Sequence, residues 1–158
     1  MCKKLTEIQI DNILLSQSIG HLGCSNNNKP YVLPVTYLFL DDYIYIQTEP
    51  GRKLDFMRIN PSVCFEVFRN TDMFNWESAI VWGTFEELND QESIEARAAL
   101  FDHVFQLMTP TKVHAHEHAV TAAADNHSRY KPIIFRIKIT EKTGRSRKSQ
   151  CTCANKCK

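Results

Sequence analysis

Six strand-like runs, five of them rich in β-branched and aromatic residues, follow one another along this chain, divided by tight turns and short helical stretches. Residues 21–25 lead into Asn26-Asn27-Asn28-Lys29, and residues 31–40 and 43–48 flank Asp41-Asp42. Asparagine and aspartate tolerate positive φ and hydrogen-bond their own backbone, so both sites read as turns between antiparallel neighbours. Residues 62–68, 76–87 and 132–140 supply the remaining strands. Runs in hairpin order, without a helical crossover after each, specify a mainly β fold. We expect an antiparallel, Greek-key-like barrel with added helices, not a doubly wound parallel sheet.

Local signals refine this frame. Thr6 with Gln9 makes a capping-box pattern for a helix over 6–18, with Ile8, Ile10, Leu14 and Leu15 as its apolar face and Gly20 as its stop. Pro34 inside a strand implies an edge, a bulge or an opening in the ladder, and Gly83 implies a bulge or a bend. Asp90 is expected to cap a helix carrying Ile94, Ala98, Phe101, Val104, Phe105 and Met108 at helical spacing. In 132–140, Ile133, Phe135, Ile137 and Ile139 alternate with charged residues as a last strand.

With 158 residues the chain is read as one domain over 1–143, followed by a polar, basic tail over 144–158 expected to be disordered. A net charge of +1 argues against a general nucleic-acid or membrane binder. No apolar run reaches the roughly 18–20 residues of a membrane span, and residues 1–6 lack a signal-peptide core. The expected location is cytoplasmic, with reduced cysteines. Cys24 and Cys64 then act as small hydrophobes in apolar runs.

The stretch with most chemical content is Gln47-Thr48-Glu49-Pro50-Gly51-Arg52-Lys53-Leu54. A strand ends, a Pro-Gly turn follows, and two adjacent cations open a short helix that closes at Asn60-Pro61. A helix start offers free N–H groups and partial positive charge. Arg52 can fork onto phosphate oxygens and Lys53 adds a mobile charge, so this is a candidate dianion pocket.

Around it lie Lys29-Pro30-Tyr31, Pro34-Val35-Thr36-Tyr37, Val63-Cys64-Phe65-Glu66-Val67, Trp76-Glu77-Ser78, Trp82-Gly83-Thr84 and Thr143-Gly144-Arg145. This ordered set resembles the FMN-binding split-barrel family of pyridoxamine-phosphate-oxidase-like proteins, and within it the nitroimidazole-resistance, nitroreductase-type flavoproteins. The resemblance implies a homodimer with FMN at the subunit interface. It implies that Arg52 and Lys53 hold the phosphate with Thr48 as a nearby hydroxyl. Leu33, Pro34, Val35 and Thr36 would run beside the isoalloxazine ring, Ile46 and Gln47 would line the ribityl and ring region, and Ser78 would hydrogen-bond FMN. It implies an oxidoreductase passing electrons from a reduced donor to a small electron-poor, nitroimidazole-like acceptor. Many relatives of the nitroimidazole group carry histidine where this chain has Gln47, which can hydrogen-bond but not titrate near neutrality. The basic residues that a pyridoxamine-phosphate oxidase applies to its substrate's phosphate are missing, which points away from that activity.

Three features stand apart. Trp82 reads as core or interface packing, Trp76 as such packing or as a border of the flavin pocket, and Glu77 as a solvated charge. His114-Ala115-His116-Glu117-His118 is not a zinc-protease motif, because Val120 stands where the second histidine is needed. It reads as polar surface, as a cover over the flavin, or as an axial-ligand source in a non-catalytic flavin- or haem-binding alternative. Cys151, Cys153 and Cys157 offer three thiols where a closed zinc site needs four ligands, so no metal site is assigned.

Overall fold

The computed structural model describes residues 2–70, 72–108 and 132–148, with the backbone alone for 104–108. Its elements are β1 (Cys2–Lys4), α1 (Glu7–Ser16), β2 (Ile19–Asn26), β3 (Lys29–Thr36), β4 (Leu38–Leu40), β5 (Tyr43–Thr48), α2 (Arg52–Ile59), β6 (Ser62–Asn70), β7 (Trp76–Glu87), α3 (Asp90–Met108) and β8 (Ile133–Arg147). The strands form one sheet in the order β3-β2-β6-β7-β8-β5-β4, with β1 added on β8. Every pairing is antiparallel. The sheet curls into a half-barrel, the split-barrel form of the expected mainly β fold.

The turn chemistry behaves as its residues dictate. Asn27 and Asn28 sit at φ 48° and 60°, Asp41 and Asp42 at 49° and 62°, the paired positive φ values of a type I′ hairpin. Thr6 and Gln9 close their reciprocal box on α1, at 2.9 Å and 3.4 Å. The α3 cap is Asn89, not Asp90: Asn89 Oδ1 accepts from Glu92 N at 3.0 Å, and Asp90 is the first helical residue. At Gly83 the β7–β8 register shifts, with Trp82 opposite Glu141 and Gly83 opposite Ile139. A side chain at Gly83 would run into the Lys138 carbonyl, so the bulge needs glycine.

Two boundaries depart from expectation. The 31–40 run breaks at Tyr37 and not at Pro34; Tyr37 N donates to Ser18 O at 3.1 Å and its hydroxyl to Leu14 O at 2.7 Å. Pro34 remains in β3, an edge strand, where a missing donor costs little. The last strand runs to Arg147 rather than ending near 140, because β7 and β1 both pair with residues 145–147. Residues 144–147 are therefore sheet, not tail.

The sheet's two faces have different roles. Leu22, Phe65, Val67, Val81, Ile44, Ile46, Phe135 and Ile137 fill the inner face with α1 (Ile10, Ile13, Leu14) and α2 (Leu54, Met57). On the outer face α3 covers one half, packing Ala96 and Leu100 against Ile134, Leu38 and Tyr45. The other half, over β3, β2, β6 and β7, exposes Ile19 (61%), Val32 (65%), Phe68 (46%) and Trp82 (40%). Trp82 is thus a surface residue, and Trp76 lies 6.2 Å from the Phe68 ring.

Glu77 is not a free surface charge. Its side chain is 19% exposed and is gripped by the Arg69 guanidinium, with Lys148 Nζ at 3.6 Å. The Arg69 hydrogen bonds hold its carboxyl below the usual carboxylate range, against the opposing effect of burial. A folded-state pKa that is depressed adds stability above the ordinary value and loses it as pH falls through the folded value. Thermal melts from pH ~6 to pH ~3 are expected to show a Glu77→Gln protein less stable at the upper end and less sensitive to acid.

Candidate functional site

Helix α2 begins without a side-chain cap: Gly51 occupies the N-cap position, and nothing stands within 4 Å of where its Cβ would be. Leu54 N and Asp55 N bond to Gly51 O, at 2.9 Å and 3.2 Å. The turn before them is left to whatever approaches from outside. Arg52 is exposed and Lys53 half-buried, and neither has an ion-pair partner among the described residues. Burial pushes the Cys24 thiol up, Cys64 adds to this, and the Lys53 charge opposes both, which places that ammonium near the β2 strand. The helix is pinned from below by buried Leu54 and Met57 and from the side by Phe56, edge-on to Tyr31 at 5.9 Å. Asn60 Nδ2 closes its far end onto Ser25 O at 3.1 Å. Two unpaired cations and an open helix start are thus held rigidly beside the β2–β3 hairpin.

The free edge of β3 belongs to the same hairpin. Edge strands carry main-chain N–H and C=O groups without sheet partners. Leu33 and Val35 turn inward against the core, whereas Pro34 and Thr36 are exposed on the outer face. β5 touches β3. Gln47 is exposed on the outer face, but Ile46 is fully buried, so Ile46 can meet a ligand only through its backbone. Thr48 is buried and its hydroxyl donates to Glu49 O at 3.1 Å. Leu33–Thr36 thus line the β3 edge, Arg52 and Lys53 open α2 beside the β2–β3 hairpin, Gln47 faces outward from β5, and Ser78 stands on the outer face of β7.

The matching family model, Pyridoxamine 5'-phosphate oxidase, covers residues 6–146. The chain belongs to the pyridoxamine 5'-phosphate oxidase family. Among solved structures, this family member is similar to an FAD-binding protein from Mesorhizobium loti, 26% identical with a TM-score of 0.71, over 94% of this chain and 99% of that one. It has the fold of a protein from Bacteroides thetaiotaomicron named for 5-nitroimidazole antibiotic resistance, 19% identical with a TM-score of 0.67, over 92% and 89% of the two chains. A curated relative, the uncharacterized protein RA0666 of Rhizobium meliloti, is 29% identical over 80 residues. The match spans 51% of this chain and about half, 53%, of that relative.

On this member of the pyridoxamine 5'-phosphate oxidase family, sequence reasoning missed a hydrogen-bonded array. His21 on β2 stands opposite Pro34 on one side and Glu66 of β6 on the other. His21 Nδ1 lies 3.1 Å from Glu66 Oε2, and Ser78 Oγ donates to Glu66 Oε1 at 3.2 Å. The available signal was Glu66, a carboxylate at an alternating position inside an apolar strand. The histidine tract 114–118 and the cysteines at 151, 153 and 157 lie outside the described residues. Among the described residues no helix is long and apolar enough to cross a membrane, and no group of side chains could hold a metal ion.

Proposed function

We propose that this chain is a cytoplasmic FMN-dependent oxidoreductase that works as a homodimer, with the flavin between subunits. The observation that carries the reading is the uncapped α2 start with unpaired Arg52 and Lys53 beside the open β3 edge. The residues fit such a group. FMN ends in a single dianionic phosphate, which suits two cations at one helix terminus. Its ring needs an apolar wall and a few main-chain partners, and the Leu33–Thr36 edge and the uncovered outer face offer both. The exposed Ile19, Val32, Phe68 and Trp82 form a patch of the kind that marks an interaction surface, and a second copy placed there would close the slot against water.

FMN, when bound, supplies the two-electron redox chemistry. The chain's own part is to anchor the phosphate through Arg52 and Lys53 and orient the ring along Leu33–Thr36. Gln47, exposed on the outer face of β5, can donate and accept hydrogen bonds there but cannot exchange a proton. The acceptor class is a small electron-poor aromatic, of which nitroimidazoles are the model. The likeness to the Mesorhizobium loti FAD-binding protein supports a flavin. Among the described residues one cationic helix start is open, which suits the single terminal phosphate of FMN better than a dinucleotide.

The freshly purified protein is expected to be yellow, with a two-band flavin spectrum bleached by dithionite and restored by air. Acid release should yield FMN, and light scattering should give twice the chain mass. A colourless protein that takes up no added FMN overturns the reading.

A further inference from the structure

We propose that His21 is the proton-exchange residue of the flavin site, positioned by Glu66 and, through Glu66, by Ser78; this rests on the FMN reading above. Residues opposite each other in an antiparallel pair put their side chains on the same face, about 5 Å apart. His21 therefore shares the outer face with Pro34, in the segment assigned to the flavin ring. Its side chain is 49% exposed, so its imidazole is open to that slot.

The hydrogen bonds define its tautomer. An ionised carboxylate only accepts, so the 3.1 Å contact to Glu66 Oε2 requires the proton on Nδ1. Nε2 of the neutral ring is then the basic nitrogen, and no described residue engages it. Glu66 is itself fixed, because Ser78 donates to its other oxygen. A histidine oriented by a carboxylate that a third group holds is the arrangement that makes an efficient proton carrier. Histidine is also the side chain whose ordinary proton exchange falls near neutral pH, which Gln47 cannot provide.

The charged and titratable surroundings of His21 are few. On β6 the outward neighbours are Glu66 and Cys64, both close to it in register. On β3 the facing residues are Pro34, Val32 and Thr36, which carry no charge. Beyond Glu66 come Ser78 and Ile80 on β7, then Arg145 on β8 opposite Ser78.

The chemistry needs such a group. Reduction of a nitro group to nitroso consumes two electrons and two protons and releases one water. A bound, reduced flavin would supply the two electrons and one of the protons. The second proton passes from Nε2 of protonated His21 to the departing nitro oxygen as the N–O bond breaks, and the imidazole recovers a proton from water that enters when the product leaves.

Two readouts test this. In flavin-free protein, ¹⁵N-histidine NMR is expected to show neutral His21 protonated on Nδ1, with Glu66→Gln weakening that preference. A neutral His21 protonated on Nε2 overturns the proposal without touching FMN binding. In FMN-loaded protein reduced by dithionite, His21→Gln should keep its flavin yet be reoxidised by a nitroaromatic about 100-fold or more slowly. Its pH profile should lose the inflection that tracks the NMR titration of wild-type His21. A flavin-loaded His21→Gln with the wild-type rate and profile sinks this proposal alone. A wild-type protein that takes up no FMN sinks the flavin reading and this proposal together.

Discussion

Replacing Arg52 and Lys53 together by alanine is expected to strip the purified protein of FMN while leaving its fold intact. Hydrogen bonds to a charged group contribute roughly 1.5–3 kcal/mol each. Two of them correspond to about 3–6 kcal/mol, or on the order of 10²–10⁴ in affinity. Arg52 is exposed and its contact is screened by solvent and salt, so the loss belongs in the lower half of that range. The fold should persist because the helix is anchored by Leu54 and Met57, both fully buried and both retained. Fluorescence titration with FMN measures the loss, and circular dichroism checks the fold. Riboflavin, which lacks the phosphate, is the internal control. Wild type should prefer FMN to riboflavin by about the same factor that the double substitution removes. Equal retention of FMN by both proteins would falsify the phosphate assignment.

The parts of the fold legible in the sequence were those decided by neighbours in the chain. Asn27-Asn28 and Asp41-Asp42 take positive φ because of their own side chains, and Thr6 and Gln9 close a box three residues apart. Gly83 was legible as a bulge or bend because glycine inside a strand marks a local irregularity, and the register shift shows it to be a bulge. The uncapped start of α2 was legible for the same reason, since its turn, its cations and its first helical turn are contiguous. What could not be read depends on register between distant strands. His21 and Glu66 are 45 positions apart, and nothing local says that they face one another. Nor does the polar composition of 144–147 reveal two strands ready to pair with it. Backbone ladders are indifferent to polarity, so a charged segment joins a sheet when partners are present. Ile46 shows the converse limit. A motif can place a residue beside a ligand, but strand alternation decides whether its side chain or only its backbone faces that way.

Gly20 illustrates how one core residue dictates another, and it carries the second large effect. As a helix stop it would sit in the left-handed region, yet among the described residues no glycine lies there, and Gly20 lies inside β2. Its constraint is the Phe65 ring. A methyl at Gly20 would drive into Phe65 Cζ, stand 2.7 Å from Cε1 and 2.9 Å from the Glu66 carbonyl oxygen. Phe65 is fully buried and packs edge-on against Tyr37, with ring centroids 4.8 Å apart. Phe65→Ala is therefore expected to cost about 3–5 kcal/mol, through lost transfer energy and the cavity left behind. Against a total stability of roughly 5–15 kcal/mol this is the most damaging single change considered. Gly20→Ala alone should cost about 1–3 kcal/mol by overpacking. The two should not add. With the ring gone, the new methyl fills part of its space, and only the crowding against the Glu66 carbonyl remains. Urea unfolding of the four proteins in a double-mutant cycle should give a coupling on the order of 1–2 kcal/mol favouring the pair. Strict additivity would mean that the strand backbone, not the Phe65 ring, is what excludes a side chain at position 20.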